Sequence, residues 1–231
     1  KPKESLVLGD ELQTAPKRIS EEYKNLERSP IVVDLKEAGI LGIVGTEEDA
    51  NTFLKIVVED LCSRQYADDA MMFVVCTKEQ AQLNAWMKYL PHFQKGGGLA
   101  RNVACDKESC DIQFEYLFKT LTAREAVAKT DTSPAIIVFV LDEMGIYTHP
   151  VSQYLDKAKS LGVYFVFLAR YQEKLPLYCG RLIKLLGNAK EGTNAQELGH
   201  NIVIDQNTAN NNQHNIVHAM PYFAFLCLPS A

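Results

Sequence analysis

Long hydrophobic runs are missing from this sequence. No apolar stretch in the 231 residues approaches the roughly 18 residues that a membrane-spanning helix needs. The longest apolar stretches, 135–141 and 163–169, have the length of strands, so no membrane span is predicted within these residues. The chain starts at Lys1 rather than at a methionine, and no charged-then-apolar leader follows. We therefore expect it to be a piece of a longer protein.

A clustered basic face is also missing. The 24 lysine and arginine residues are spread along the chain, and the formal net charge is −5. Nucleic-acid binding is disfavoured, because domains with that function normally carry a basic patch or stripe. The six cysteines form neither a CxxC motif nor a regular framework. This pattern favours a reducing, cytoplasmic setting over a disulfide-bonded one.

The sequence does have an ordinary hydrophobic content, 47%, and an alternation of strand-like and helix-like stretches. Apolar runs of strand length are separated by segments whose apolar residues recur at helical spacing. This alternation predicts a single α/β domain with a mainly parallel sheet. Residues 1–29 are polar and are predicted to be a linker that leads into the domain, and residues 30–231 are predicted to form the domain itself.

Less regular segments carry weaker patterns. We predict a short strand at 31–35 and a helix over 78–89 that places Leu83 and Met87 on one buried face. A further helix is predicted over 152–161, strands at 182–186 and 201–205 with a polar connection at 187–199 between them, and a closing helix over 216–228. The Asn-rich stretch 207–215 is predicted to be exposed, and its role cannot be assigned.

The stretch around Gly45 has the order expected of a phosphate-binding loop. The apolar run 40–44 ends in this glycine, and apolar residues then recur at helical spacing. A strand that ends in glycine and opens a helix is where the pattern G-x-x-x-x-G-K-[ST] binds phosphates. Gly45 and Thr52 fit the pattern. Ala50 replaces its second glycine, and Asn51 replaces the lysine that should reach the β- and γ-phosphates.

Three carboxylates occupy this turn. Glu47, Glu48 and Asp49 face the place where a triphosphate would rest, and each opposes a phosphate charge by roughly 3 kcal/mol at about 5 Å and an effective dielectric constant of about 20. The same acids offset the helix macrodipole, and Thr46 with Asp49 approximates a capping box. The sequence therefore predicts a turn that is capped by its own side chains and a degenerate nucleotide site.

A second signature lies further along the chain. The strand that starts near Ala135 ends in Asp142-Glu143, which has the form of a Walker B motif, where the aspartate holds Mg²⁺ and the glutamate polarises the attacking water. Together with the strand-glycine-helix unit, this ending predicts a nucleoside-triphosphatase frame. Catalysis is disfavoured because Asn51 cannot supply the charge of the missing lysine. Lys55 lies one helical turn further along and substitutes in part only if the loop is reorganised.

Packing explains the other candidate sites better than ligand binding does. The stretch 86–92, WMKYLPH, could be an aromatic ligand patch, but a helix end packed under a proline turn is favoured. His214 and His218 have the i, i+4 spacing of metal ligands, but no third ligand is evident. No metal site is predicted. Cys105 and Cys110 are interpreted as ordinary thiols.

The order of several motifs resembles one family. The element D-L-x-x-x-G-x-x-G-x-V-G lies at 34–45, the element W-x-K-[WY]-L-P-H at 86–92, and Leu175-Pro176 follows the strand at 165–170. These elements resemble a domain of the membrane-bound ATPase of type VII secretion systems, called EssC in Firmicutes and EccC in actinobacteria. That domain lies between the transmembrane helices and the first motor ATPase. The similarity covers residues 21–187.

This resemblance implies an FtsK/SpoIIIE-type translocase that exports small helical-hairpin proteins, and a three-layer P-loop NTPase-like (RecA/FtsK-like) fold for this domain. It makes the 45–52 loop a vestigial Walker A motif and Asp142-Glu143 a surviving Walker B position. It implies no cofactor here, with ATP and Mg²⁺ bound by other domains of the parent protein. The implied location is the cytoplasmic face of the cell membrane.

The partners implied by the resemblance are the transmembrane segment and the downstream ATPase domains of the same chain, and other membrane components of the secretion system. Ring-forming relatives also imply a homo-hexamer of the full protein. The leading hypothesis is a non-catalytic domain that relays conformational change between the membrane helices and the ATPases. The alternative is a regulatory or weakly active nucleotide-binding domain that uses Asp142 and Glu143, with charge supplied by Lys55 or a neighbouring subunit. DNA translocation is disfavoured by the net charge.

Overall fold

The computed structural model describes residues 33–94, 102–127 and 134–185, the backbone of 195–203 and 226–227, and residues 16, 18 and 19. The strands are β1 (Val33–Asp34), β2 (Ile40–Val44), β3 (Ala70–Val75), β4 (Val103–Ala104), β5 (Ala135–Val140), β6 (Val163–Ala169), β7 (Tyr178–Leu185), β8 (Ala195–Val203) and β9 (Leu226–Cys227). The α-helices are α1 (Leu35–Ala38), α2 (Glu47–Arg64), α3 (Lys78–Leu83) and α4 (Lys107–Val127).

Seven of the strands form one sheet in the order β4-β3-β5-β6-β2-β7-β8. The first six are parallel to their neighbours, and β8 runs antiparallel to β7 at one edge. A separate parallel pair joins β1 to β9. Parallel strands need crossover connections, which is why the long helices α2 and α4 follow β2 and β4 in the chain. The predicted α/β fold with a mainly parallel sheet is confirmed.

Helices cover both faces of this sheet and bury two cores. On one face α2 packs Phe53, Leu54 and Val58 against the strands, and on the other α4 packs Phe114 and Leu117. Successive residues of β5 alternate between the two cores because side chains alternate along a strand. The near-continuous apolar runs of β3, β5 and β6 follow from this burial on both faces. The three-layer architecture matches the prediction.

Arg124, in the last turn of α4, fixes the amino ends of two neighbouring strands. Its guanidinium donates to the carbonyl oxygens of Leu161 and Gly162, at 2.7 and 3.3 Å, just before β6 begins. It also donates to the carbonyl oxygen of Pro134, at 2.6 Å, just before β5. A single side chain therefore satisfies backbone carbonyl groups in the two connections that lead into β5 and β6, at the amino ends of these strands.

At Gly180, strand β7 passes very close to the one-turn helix α1. A Cβ atom built on this glycine would lie 1.9 Å from the carbonyl oxygen of Ala38 and 2.8 Å from its Cα. No side chain can be accommodated there without moving backbone. Gly39, which ends α1, has φ = +70°, a left-handed conformation that favours glycine. Close packing of α1 on β7 therefore depends on two glycines.

Several of the weaker predictions are wrong in detail. The helix predicted over 78–89 ends as α3 at Leu83 and continues as a 3₁₀-helix, Ala85–Tyr89. The change in residues per turn breaks the predicted face, so that Leu83 is 65% exposed while Met87 is buried. The segment 152–161 forms two 3₁₀-helices, Pro150–Tyr154 and Ala158–Leu161, instead of one α-helix.

Of the strand predicted at 31–35, residues 31 and 32 lie outside the described residues, Val33–Asp34 forms β1, and Leu35 begins α1 because the Asp34 side chain caps that helix. The predicted polar connection at 187–199 includes the start of β8, which pairs with β7 from Ala195. Where a helix was predicted at 216–228, Leu226–Cys227 forms a strand beside β1. The Asn-rich stretch 207–215 and the histidines at 214 and 218 lie outside the described residues.

The stretch 86–92 packs at the side of the sheet. The 3₁₀-helix Pro91–Phe93 lies against β3, and Phe93 is fully buried. His92 is also buried, and its Nε2 lies 2.8 Å from the carbonyl oxygen of Gln65 at the end of α2. The Phe93 carbonyl accepts a hydrogen bond from the amide of Asn102, just before β4. These contacts agree with the packing interpretation of the stretch.

Candidate functional site

The turn between β2 and α2 is short and capped from within. Strand β2 ends at Val44 and helix α2 already begins at Glu47, with Thr46 as its N-cap. The Thr46 hydroxyl accepts a hydrogen bond from the amide of Asp49 at 3.2 Å and donates one to the Asp49 carboxylate at 2.6 Å. The internal cap predicted from the sequence is present. It places acidic side chains where the amides of a phosphate loop would be exposed.

The remaining residues at Walker A-like positions lie inside the helix and use their polar groups locally. The Asn51 side-chain oxygen accepts a hydrogen bond from the side-chain amide of Asn84 at 2.9 Å. The Thr52 hydroxyl donates to the carbonyl oxygen of Glu48 at 3.0 Å. Ala50 is half-buried and packs on the core. The Asn51 side-chain oxygen and the Thr52 hydroxyl thus have partners within the domain.

Lys55, considered from the sequence as a substitute cation, points elsewhere. Its side chain is 61% exposed and forms an ion pair with Glu59 at 4.0 Å, one turn further along α2. It does not line the cleft described next. Within the described chain, any positive charge at that cleft comes from other residues.

A cleft of about 500 Å³ lies at the carboxyl ends of the central strands. It brings together the turn at Gly45 and the acids Asp142 and Glu143, as predicted from the sequence. Strand β6 lies between β2 and β5, so the two strands are roughly 10 Å apart at a spacing of about 4.8 Å. The carboxyl edge of a parallel sheet is the usual place for a ligand site in such folds.

Asp142 and Glu143 follow β5 in a tight turn. The Asp142 carboxylate accepts a hydrogen bond from the amide of Met144 at 3.2 Å. Met144 and Gly145 both have positive φ, 40° and 88°, which makes the turn sharp. The Glu143 carboxylate lies 3.7 Å from the ammonium of Lys174. Both acids therefore have partners within the domain.

Residues that the sequence reasoning missed complete the cleft. Thr77 lies between β3 and α3 and is the N-cap of α3. It forms a capping box with Gln80. The Thr77 hydroxyl accepts a hydrogen bond from the Gln80 amide at 3.3 Å, and the Thr77 amide donates one to the Gln80 side-chain oxygen at 2.9 Å. The motif T-x-x-Q is a recognisable signal for this cap. Both helices that open onto the cleft, α2 and α3, are thus capped by their own residues.

The charges around the cleft are predominantly acidic. Two basic side chains, Arg170 after β6 and Lys174, face four carboxylates, which belong to Glu47, Glu79, Asp142 and Glu143. Tyr147 forms part of the wall, stacks on Phe167 at 6.1 Å, and has its pKa raised by burial and by the charge of Glu143. An anion entering here meets more negative than positive charge.

Two buried cysteines, Cys76 and Cys110, have raised thiol pKa values. Burial raises the pKa of Cys76 to about 12, with smaller contributions from neighbouring acidic groups, and raises the pKa of Cys110 to about 11. The thiolate is the form that reacts and binds metals. In the described part of the chain, no group of three or more His, Cys, Asp or Glu side chains is arranged to hold a metal ion.

Removing the Thr46 cap tests how much the internal hydrogen bonds stabilise this turn. We expect Thr46→Ala to lower the free energy of unfolding by about 1 kcal/mol, because the α2 amide loses its acceptor. Thr46→Ser keeps the hydroxyl and should unfold close to the wild type. Urea titrations followed by circular dichroism measure both. Equal stabilities of the Ala variant and the wild type would contradict a capping role.

The β2–Gly45–α2 unit and the acids Asp142-Glu143 after β5 line one cleft. They do so in a three-layer fold whose central sheet is mainly parallel. Together they define a P-loop NTPase-like fold. In sequence, the chain is 24% identical over 187 residues to the ESX secretion system protein EccC of Geobacillus thermodenitrificans, covering 79% of this chain. It is 22% identical over 185 residues to the type VII secretion system protein EssC of Staphylococcus aureus, covering 76% of this chain. The resemblance to EccC and EssC predicted from the motifs is confirmed.

Solved structures with a similar fold include proteins named EccC and EssC. The cytoplasmic domain of the type VII secretion ATPase EccC from Thermomonospora curvata matches 76% of this chain and 24% of that chain, with a TM-score of 0.53 and 13% identity. EssC ATPases 2 and 3 from Geobacillus thermodenitrificans match 78% of this chain and 46% of theirs, with a TM-score of 0.50 and 13% identity. At this identity the likeness concerns the fold alone.

The chain spans 12% of the length of either curated relative. No protein-family model matches it. In the described segments, no helix combines the length and the apolar character needed to cross a membrane. The relatives named above are secretion-system proteins that are several times longer than this chain.

Proposed function

We propose that this domain is a non-catalytic, ATPase-like part of a type VII secretion motor that transmits conformational change between the membrane-embedded part and the ATPase domains during protein export. The observation that carries the proposal is the capped turn at Thr46. In this proposal the fold keeps the architecture of a nucleotide site, and the Thr46–Asp49 hydrogen bonds at the start of α2 replace the contacts that a phosphate would make. In this proposal the Walker A motif is degenerate and the domain is a pseudo-ATPase.

Electrostatics support this proposal. A triphosphate in the cleft would face four carboxylates and two cations, one of which, Lys174, already forms an ion pair with Glu143. At an effective dielectric constant of about 20, each carboxylate within about 5 Å opposes a phosphate charge by roughly 3 kcal/mol. The lysine that would compensate is absent, because Asn51 occupies its position and bonds to Asn84. Neither ATP nor Mg²⁺ is proposed as a ligand of this domain.

The proposed partners follow from the relatives. EccC and EssC structures contain several ATPase domains in one chain, and this chain matches a small share of such proteins. We propose contacts with the downstream ATPase domains and the transmembrane segment of the same parent chain, and with other membrane components of the secretion system. Assembly as a homo-hexamer, a location at the cytoplasmic face of the membrane, and the absence of nucleic-acid binding belong to the same proposal.

Calorimetric titration with Mg-ATP tests the central point. We expect no saturable heat at millimolar nucleotide, because the Asp49 amide is already bonded to Thr46 and the cleft is acidic. An active ATPase domain of the same parent protein, titrated in parallel, serves as the positive control. Micromolar binding, together with ATP hydrolysis that is lost in Glu143→Gln, would overturn the proposal.

The second candidate function is regulatory or weak nucleotide binding. The observation that favours it is the position of Asp142 and Glu143, which line the same cleft as Gly45 with Arg170 beside them. In this alternative the charge comes from Arg170 or a neighbouring subunit, because Lys55 does not line the cleft. Asp142→Ala should then change a nucleotide-dependent signal, such as tryptophan fluorescence of Trp86. An unchanged signal in this variant removes the alternative.

A further inference from the structure

A second cavity, of about 900 Å³, lies beside the nucleotide-like cleft; we refer to it as the lateral groove. Its apolar surface comes from the beginning of β2, from the 3₁₀ segment around Leu155 and from the connection between β6 and β7. The apolar residues are Ile40, Tyr147, Leu155, Leu175, Pro176 and Leu177. Three residues, Glu143, Tyr147 and Lys174, line both cavities and form the wall between them.

The rim of the lateral groove has an exposed apolar lip. Leu177 is 64% exposed although Leu175, two residues earlier, is buried. Leu177 continues to the rim the apolar lining formed by Leu155, Leu175 and Pro176. A contiguous apolar surface rimmed by polar residues is typical of a surface that is covered by another molecule. A ligand wholly inside the cavity would leave this lip in water, whereas a polypeptide segment lying along the groove would cover it.

The charges of the groove are unbalanced. Three carboxylates, those of Glu143, Asp156 and Glu173, line it with a single ammonium, that of Lys174. Lys174 is paired with Glu143, and the nearby Lys157 is paired with Glu125 at the surface. Within the part of the chain that the structure describes, Asp156 and Glu173 form no ion pair. Two negative charges at the groove thus have no compensating group.

We propose that the lateral groove is a docking site for a basic amphipathic polypeptide segment of a partner. Apolar side chains of the segment fill the space between Leu155 and Leu177, and lysine or arginine side chains on its flanks pair with Asp156 and Glu173. Charge complementarity of this kind sets the specificity and the rate of association. The groove is a different surface from the nucleotide-like cleft, so the proposal stands whether or not the cleft binds nucleotide.

Fluorescence anisotropy with two designed peptides tests the proposal. The first is a labelled helix-forming peptide of roughly 15 residues, with leucines at i, i+3, i+4 and i+7 and lysines on the rest of its surface. The second carries glutamates in place of the lysines. We expect the lysine peptide to bind saturably and the glutamate peptide to bind at least about tenfold more weakly. Failure of the lysine peptide to bind, or equal affinity for both peptides, would overturn the proposal.

Two pairs of matched variants locate the binding. Leu177→Ser should weaken the lysine peptide about tenfold, because it removes one buried apolar contact. Leu83→Ser changes a leucine that is exposed to the same extent but lies on α3, and should leave affinity unchanged. The double variant Asp156→Lys/Glu173→Lys should also weaken peptide binding about tenfold. The control double variant Asp68→Lys/Glu108→Lys makes the same change in net charge at other sites and should leave the affinity unchanged.

Circular dichroism and unfolding midpoints close to the wild type establish that each variant is folded. All four substituted positions in the charge variants are exposed, so that folding is not expected to change. Equal loss of affinity in the Leu83 and Leu177 variants, or in the two charge-reversal variants, would show attachment to the acidic surface in general. Either result would overturn the assignment of the lateral groove.

Discussion

Gly180→Ala is expected to lower the free energy of unfolding by at least about 3 kcal/mol. The new Cβ would lie 1.9 Å from the carbonyl oxygen of Ala38, so β7 and α1 must move apart. Because the colliding atoms belong to backbone, no side-chain rotation relieves the clash. A loss of this size is a large part of the roughly 5–15 kcal/mol that stabilises a domain. Guanidinium titrations followed by circular dichroism measure it.

Two variants separate this clash from other effects of replacing glycine. Gly145→Ala keeps open space, with the nearest atom at 3.5 Å, and should lose only the roughly 1–2 kcal/mol that a left-handed backbone costs an alanine. Ala38→Gly added to Gly180→Ala should not restore stability, since the carbonyl of residue 38 remains. Recovery in that double variant would show that the Ala38 side chain causes the strain and would contradict the prediction.

Arg124→Ala is expected to lower the free energy of unfolding by roughly 3 kcal/mol, because three backbone acceptors lose charge-assisted hydrogen bonds. The bonds to the carbonyls of Pro134, Leu161 and Gly162 hold the starts of β5 and β6 to α4. Hydrogen exchange at the first amides of β5 and β6 should become faster than exchange at their carboxyl ends. The free energy of unfolding and the exchange rates together show whether Arg124 anchors the starts of β5 and β6 or acts only as a surface charge.

Arg124→Lys and Lys119→Ala are the controls for this prediction. A lysine has one ammonium in place of the planar guanidinium and cannot reach both connections in the same geometry, so it should recover less than half of the loss. Lys119 lies on the same helix, is 72% exposed and pairs with Glu115, and its removal should change stability by less than about 0.5 kcal/mol. Similar losses in the Arg124 and Lys119 variants would contradict a specific anchor.

The long elements could be predicted from the sequence because burial dictates their pattern. Strands β3, β5 and β6 are covered on both faces, and their apolar runs mark them to within a residue or two. Helix α2 is marked by its cap at Thr46 and by apolar spacing. The short elements depend on tertiary contacts. Strand β8, with the sequence AQELGHNIV, has no apolar run and is defined by its pairing with β7.

The candidate site could be predicted in part. Gly45 and Asp142-Glu143 are interpreted from the sequence as the Walker A-like and Walker B-like parts of one nucleotide frame, and they line one cleft. Arg170 follows β6 directly and Thr77 lies two residues after the end of β3, so the position of each at a strand end would have placed it at this edge of the sheet. Lys174 lies in the 3₁₀ turn Gln172–Lys174 of the connection between β6 and β7. Its pairing with Glu143 depends on the path of this connection, which no local sequence pattern specifies. Whether the cleft binds nucleotide stays a prediction.

The 3₁₀-helix Pro91–Phe93 has a consequence for association between chains. Only Val74 and Val75 of β3 pair with the two-residue strand β4, so the first part of β3 is close to the margin of the sheet. Unpaired strand margins invite strand addition from other molecules and aggregation. Phe93 and its neighbours lie against β3 at this margin, and proline at position 91 has no amide hydrogen to extend a ladder. The W-x-K-Y-L-P-H motif and Phe93 thereby cover this part of β3 and protect it against wrong strand pairing.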